Sequence, residues 1–270
     1  MMTLIRQSII LFLIGLLGAC SGNTVQDSGP DRDIDVSHIP DAKPRHTSPS
    51  RYGNPDSYVV YGVRYHVMKN SKGYRERGVA SWYGSKFHGR RTSSGEAYDM
   101  YAMTAAHKSL PLPTYVQVTN LNNGRQVVVK VNDRGPFVKN RLIDLSYTAA
   151  KKLGISATGT GLVEVRALSP DKSPAKKHRI KTNQSVTAAL PGSLNMYLQV
   201  GAFANRINAE QLQLSLQGLL SARVSIERMI QNRLPLFRVR VGPVASVSEL
   251  DRMTELLGQQ GIDSPHIVID

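Results

Sequence analysis

Three runs decide how this chain is read: Gly78-Val79-Ala80-Ser81-Trp82-Tyr83-Gly84, then Lys130-Val131-Asn132-Asp133-Arg134-Gly135-Pro136-Phe137, then Leu142-Ile143-Asp144-Leu145-Ser146. Each is a short β-branched or aromatic stretch bounded by glycine, proline or a polar residue, the pattern of a strand that ends in a turn. The same texture recurs through residues 78–168. Strands are expected at Val79 to Tyr83, Tyr101 to Ala105, Tyr115 to Leu121, Gln126 to Val131, Leu142 to Leu145 and Leu162 to Leu168. One short helix is expected from Ser146 to Leu153, with Ser146 as its N-cap and Gly154 as the glycine that ends it. Six short strands and little helix predict a mainly β domain, a six-stranded barrel, over 78–168.

Downstream, residues 169–192 form a linker rich in Lys, Arg, Ser and Pro. A separate module occupies 193–270. Met196 to Phe203 reads as a strand and Asn205 to Leu220 as a helix with Ala209, Leu212, Leu216 and Leu219 on one face. Arg223 to Met229 and Pro235 to Val241 read as a hairpin, Ser246 to Gln260 as a second helix and Ile262 to Ile269 as a last strand. The order βαββαβ predicts an α+β ferredoxin-like sandwich. Upstream, residues 20–57 carry glycine, proline and polar residues with almost no apolar periodicity and read as a disordered tether. Residues 58–77 read as an extended segment whose tyrosines pack on the barrel domain. Stretched out, the chain from Cys20 to Val79 would span more than about 100 Å.

The chain has 270 residues, 41% hydrophobic and 20% charged, which excludes wholesale disorder and a polytopic membrane protein. Its single cysteine excludes an internal disulfide framework or a thiolate zinc site. Arg6 and the run Ser8 to Leu17 have the layout of a secretory signal, too short to span a membrane as a helix. The run meets Leu17-Gly18-Ala19-Cys20, which resembles the bacterial lipoprotein signal. That resemblance implies removal of residues 1–19 and lipidation of Cys20. Ser21 rather than Asp after the cysteine implies the outer membrane of a Gram-negative cell, facing the periplasm. No nucleic acid is present there, so the net charge of +14 needs another partner. Residues 78–168 hold twelve Lys and Arg against five Asp and Glu, a net of +7, whereas 193–270 balance at seven against seven. A polyanion or an anionic surface would therefore meet the barrel.

Ala-Ser-Trp-Tyr-Gly (80–84), Phe-His-Gly (87–89), Gly-Glu-Ala-Tyr-Asp-Met (95–100), Thr-Ala-Ala-His-Lys (104–108) and Val-Asn-Asp-Arg-Gly-Pro-Phe (131–137) stand in one order. Together they resemble the rare lipoprotein A family, whose core is a double-psi β-barrel shared with expansins and one class of membrane-bound lytic transglycosylases. Ser94 departs from it, standing where Asn is common. Tyr197-Leu198-Gln199-Val200-Gly201-Ala202-Phe203 and Phe237-Arg238-Val239-Arg240-Val241-Gly242-Pro243 resemble the SPOR domain. That module is known as a binder of peptide-free glycan at division septa. The two resemblances imply one substrate, the peptidoglycan glycan strand. They imply lytic transglycosylation, in which the muramyl 6-hydroxyl displaces the next sugar to give a 1,6-anhydro end. They also imply that Asp133 stands where related enzymes keep an essential aspartate.

Glycan cleavage needs a carboxylic acid that is protonated near neutral pH. Glu96, Asp99 and Asp133 stand in turn or strand-end sequence and are the candidates, with His107 to orient one of them or hold the sugar. Asp133 also reads as a turn carboxylate capping backbone amides, and Glu96 and Asp99 as ion-pair partners of Arg90, Arg91 or Arg134. His107 also reads as a satisfied core residue. Trp82 and Tyr83 either stack on sugars or fill the barrel, and Arg134 is a candidate for substrate contact. In the last module Gln199 and Phe203 are expected on one sheet face, with Arg238 on the central hairpin, as glycan contacts; Phe203 in the core is the other reading. No cofactor and no metal site are expected, and the chain reads as a monomer. A non-catalytic, expansin-like glycan binder remains the rival to an enzyme.

Overall fold

The computed structural model describes residues 27–169, 194–262 and 265–270. The expected signal segment, Cys20 and nearly all of the basic linker lie outside the described residues. A hairpin comes first, β1 (Ser57–Val60) and β2 (Val63–His66). Then come β3 (Arg75–Tyr83), β4 (Thr104–His107), β5 (Thr114–Asn120), β6 (Gln126–Asp133), β7 (Ile143–Ser146), α1 (Tyr147–Leu153) and β8 (Gly161–Ala167). Strands β3 to β8 close into a barrel in the order β3-β7-β4-β6-β5-β8. Pairs β3/β7 and β4/β6 run parallel, the others antiparallel. Alternation along the strands turns Val116, Val118, Val127, Val129, Ile143, Leu145, Val163 and Val165 into the closed interior, where they are buried. Each such side chain contributes about 1.5–3 kcal/mol.

All six expected barrel strands are present. Strand β3 begins earlier than read, at Arg75, because residues 75–78 pair with Val163 to Arg166 of β8. Strand β4 begins later, at Thr104, because the Tyr101 amide is taken by the Asp99 carboxylate in a turn. In α1 the Ser146 hydroxyl accepts from the Ala149 amide, and Gly154 ends the helix in the left-handed region at φ 77°.

The reading of residues 20–57 as a free tether is corrected from Asp27 onward. Val36 is buried, and Ile39 and Ala42 pack on the barrel core. Asp41 accepts from the Val128 amide and pairs with Lys152, while the Ala42 amide donates to the Val128 carbonyl. Asn54 exchanges two hydrogen bonds with Leu112. The segment binds by single side chains and backbone groups, not by a repeating face, so it carries no apolar period to read. The reach shrinks accordingly: the seven residues from Cys20 to Asp27 extend at most about 25 Å.

The last module has β9 (Met196–Phe203), α2 (Arg206–Gln217), β10 (Val224–Gln231), β11 (Leu234–Val244), α3 (Val247–Gln259) and β12 (His266–Ile269). Its antiparallel sheet runs β10-β11-β9-β12, with the two outer strands joined through the central pair as the expected ferredoxin-like order requires. Leu198, Val239 and Val241 form its core with Leu250 and Leu257 of α3 and Leu216 of α2.

Candidate functional site

Four residues line up across the barrel wall. Ser81 of β3 pairs with Asp144 of β7, Asp144 with Ala106 of β4, and Ala106 with Asp133 at the end of β6. Residues in register point to the same side of a sheet. The neighbours Ile143 and Leu145 face the interior, so Asp144 faces outward. It opens into a cleft also lined by Asp133, Trp82, Tyr83 and Phe137. Alanine at the middle of the row leaves space between the two carboxylates.

The two acids are held differently. Asp133 Oδ1 accepts from the Ser93 amide at 2.7 Å, the Ser93 hydroxyl at 2.7 Å and the Arg134 amide at 2.7 Å. This is the turn-capping arrangement read from its sequence, and it coexists with a place in the cleft. Asp144 accepts a hydrogen bond from the Ser81 hydroxyl. Burial pushes its carboxyl above the usual aspartate range; the Ser81 bond and the charges of Arg141 and Lys108 oppose that rise without cancelling it.

Glu96, Asp99 and His107 are not among the residues lining this cleft. Burial works upward on Glu96, but hydrogen bonds from Lys130 and Asn132 outweigh it and hold the carboxyl below its usual value. Such an acid is ionised at neutral pH and cannot donate a proton. Asp99 is exposed, capping the Tyr101 amide with His88 at 3.8 Å. The expected pairing of these acids with Arg90, Arg91 or Arg134 is not seen; Lys130 and His88 take those places.

His107 is a buried structural residue. Its Nδ1 accepts from the Ser109 and Leu110 amides, so Nε2 carries the proton and faces the Tyr74 hydroxyl at 2.8 Å. Burial, then the charges of Arg134 and Lys108, lower its pKa to about 3. The catalytic reading of His107 gives way to the core one because no donor or acceptor remains for a substrate. Arg134 is corrected on the same ground. Its guanidinium donates to Gly53 O through Nε and Nη2, to His107 O and Leu110 O through Nη1, and to Asn54 through Nη2. All five N–H groups are committed, so Arg134 clamps the N-terminal segment to the barrel instead of gripping a ligand.

The aromatic pair divides. Tyr83 is buried and stacked on Tyr98 at 4.0 Å, although it lines the cleft. Trp82 is partly exposed, braced edge-on by Tyr147 at 5.7 Å. Asp144 carries no mark of a role in the sequence, where Leu142 to Leu145 reads as a strand. The available signal was an acid standing between two apolar strand residues, where an ionised side chain gains least. Among the described residues no three His, Cys, Asp or Glu side chains converge to hold a metal.

In the last module Gln199 and Phe203 do not share a face. Val239 pairs with Gly201 but Arg240 pairs with Gln199, so Val200 is an extra residue on β9. This bulge reverses the alternation. The Phe203 ring lies against Gly201 and Leu212 of α2, within the core. Gln199 sits on the helix-free face with Tyr197, Arg238 and Arg240.

Residues 75–167 match the family described as lytic transglycolase, and residues 195–268 match the SPOR domain. The chain is 40% identical to the endolytic peptidoglycan transglycosylase RlpA of Pseudomonas aeruginosa, an alignment covering 90% of this chain and 84% of that one. It is 38% identical to the protein of the same name from Vibrio cholerae, covering 97% and 96%. Among solved structures, the RlpA SPOR domain from Pseudomonas aeruginosa is 40% identical over 27% of this chain and 96% of that one, with a TM-score of 0.27.

Proposed function

The chain belongs to the RlpA family of endolytic peptidoglycan transglycosylases, and from that premise we propose that it cuts the MurNAc–GlcNAc bond of peptide-free glycan strands, leaving 1,6-anhydroMurNAc ends. The observation that carries this reading is the Ser81-Asp144-Ala106-Asp133 row in one cleft. Asp144, whose proton affinity burial raises, protonates the glycosidic oxygen as its bond to the muramyl anomeric carbon breaks. The MurNAc 6-hydroxyl bonds to that carbon, and the Asp144 carboxylate takes the hydroxyl proton, which restores the acid. Asp133, its Oδ1 fixed by the Ser93 and Arg134 donors, faces the positive charge that develops on the sugar ring between these events and stabilises it. One acid acts twice and no water is consumed. Trp82 offers the sugar an apolar surface.

Removal of a stem peptide leaves the muramyl lactyl group as a free carboxylate, so a peptide-free strand is a polyanion. The net +7 of residues 78–168 suits such a strand. The SPOR module, through its helix-free face with Gln199 and Arg238, delivers the enzyme to peptide-free glycan at the division septum. Acylated Cys20 holds the monomeric protein on the outer membrane, facing the periplasm.

The test is mass spectrometry of products from amidase-treated and untreated sacculi. Anhydromuramyl ends, mainly from amidase-treated material and absent with Asp144→Asn, are the expected result. Reducing ends would make the protein a hydrolase. Tight binding with no product would leave an expansin-like binder.

A further inference from the structure

Tyr61 occupies the tip of the β1–β2 hairpin, outside the residues matched to the transglycosylase family. It is 90% exposed, the most exposed of the large apolar side chains in the described residues. Its backbone lies in the left-handed region at φ 49°, with Gly62 next at φ 78°. This is the geometry of a two-residue hairpin turn, whose first position favours Asn, Asp or Gly; a tyrosine there is disfavoured. Neither burial nor turn preference explains the ring.

The hairpin beneath it is fastened to the barrel. The Tyr58 hydroxyl donates to Lys108 O at 2.7 Å, the Met68 amide donates to Ser109 O at 2.7 Å, and Tyr58 stacks on Tyr65 at 5.4 Å. Phe137 packs against both tyrosines, four residues after Asp133 in the loop that follows β6. Tyr61 is thereby held at a set place relative to the acids, and it lines the same cleft. Val138, also largely exposed, lies beside it on the rim.

We propose that Tyr61 forms a sugar-binding subsite beyond the bond to be cut, its ring stacked on the C–H face of a pyranose of the glycan strand that occupies the cleft. The proposal rests on the glycan reading above. Continuity with the acid-lined cleft selects this occupant: a strand that runs past Asp133 and Asp144 toward the hairpin meets the Tyr61 ring, which lines the same cleft. A ring that presents an apolar face and a polar edge suits a sugar, whose faces are apolar and whose rim is hydroxylated.

The experiment uses peptide-free glycan prepared by amidase treatment. Tyr61→Asn restores the residue the turn prefers, so melting temperature should hold or rise while KM increases about fivefold to tenfold and kcat stays within about twofold. Tyr61→Phe should keep the KM of the parent. An unchanged KM for Tyr61→Asn, or equal losses for Asn and Phe, would overturn the subsite. Deuterium exchange of residues 57–66 in Asp144→Asn protein gives a readout free of turnover. Glycan should slow it, and should not in the Tyr61→Asn double variant. Slowed exchange without anhydromuramyl product from the parent would sink the transglycosylase reading and leave the subsite standing; unslowed exchange overturns the subsite itself.

Discussion

Asp133 and Asp144 each stand in register with Ala106, one on β6 and the other on β7, so the single strand β4 separates their backbones. Two strand spacings place their Cα atoms about 10 Å apart, room for a glycosidic bond between the carboxyl groups. Three donors saturate Asp133 Oδ1, whereas Asp144 is pushed toward its neutral form. The two carboxyl groups thus differ in surroundings, one fixed by donors and the other buried.

Asp144→Asn should abolish release of anhydromuramyl ends, by more than about a hundredfold, while glycan binding persists. Because folding raises the Asp144 pKa, its contribution to stability is fully present below the unfolded value and is lost as pH rises through the folded one. The asparagine variant should therefore melt no lower than the parent at pH 7, with the difference reversing in acid. Scanning calorimetry across pH checks this. Activity of the parent should fall on the alkaline side as Asp144 ionises.

His107 makes the opposite prediction. Its pKa is lowered from 6.5 to about 3 on folding, so the folded state loses stability as pH falls between those values. Replacing His107 by Gln should flatten that limb in urea denaturation at pH 4 to 7. The residual folded enzyme should turn over with an unchanged pH profile. A lost activity limb near pH 6.5 would return His107 to the chemistry.

Gly84 admits the N-terminal segment. The Asp27 carboxylate accepts from the Gly84 and Lys86 amides, and a Cβ on Gly84 would lie 2.0 Å from Ser28 O. Gly84→Ala should undock residues 27–29 from the cleft rim, seen as faster proteolysis there, with the barrel melting within a few degrees of the parent. Equal cleavage rates in the two proteins would show that the contact is not what holds the segment.

Phe203→Ala should destabilise the last module by about 3–5 kcal/mol if its ring packs as in a full core, and less in proportion to its partial exposure. Gln199→Ala should leave the melt unchanged and weaken retention on peptide-free glycan. Isothermal denaturation and sedimentation with amidase-treated sacculi separate the two. The reverse pattern would place the glycan face on the helix side.

The strands and helices of both modules were legible because apolar residues recur at the period of each element, as in Val116-Val118 and Leu250-Leu257. The motif residues were legible as a set, but their roles were not. Glu96, Asp99, Asp133 and His107 look alike in sequence, since nothing in a residue's type states its neighbours. Lys130 and Asn132 make Glu96 an ion-pair partner, while two backbone amides make His107 a core residue. Residues 27–56 were misread for a related reason, because hydrogen bonds from isolated Asp and Asn side chains leave no periodic trace.

By itself the sequence determined two modules, their element order, the family and the chemistry to look for. Those properties come from local periodicity and from motifs contiguous along the chain. Only the tertiary structure decided that Asp144 shares a cleft with Asp133, that the five donors of Arg134 are spent on the scaffold, and that one bulge at Val200 turns Phe203 inward. Proton affinity, donor saturation and facing depend on strands brought side by side from distant parts of the chain. That register exists only once the barrel has closed and the sheet has formed.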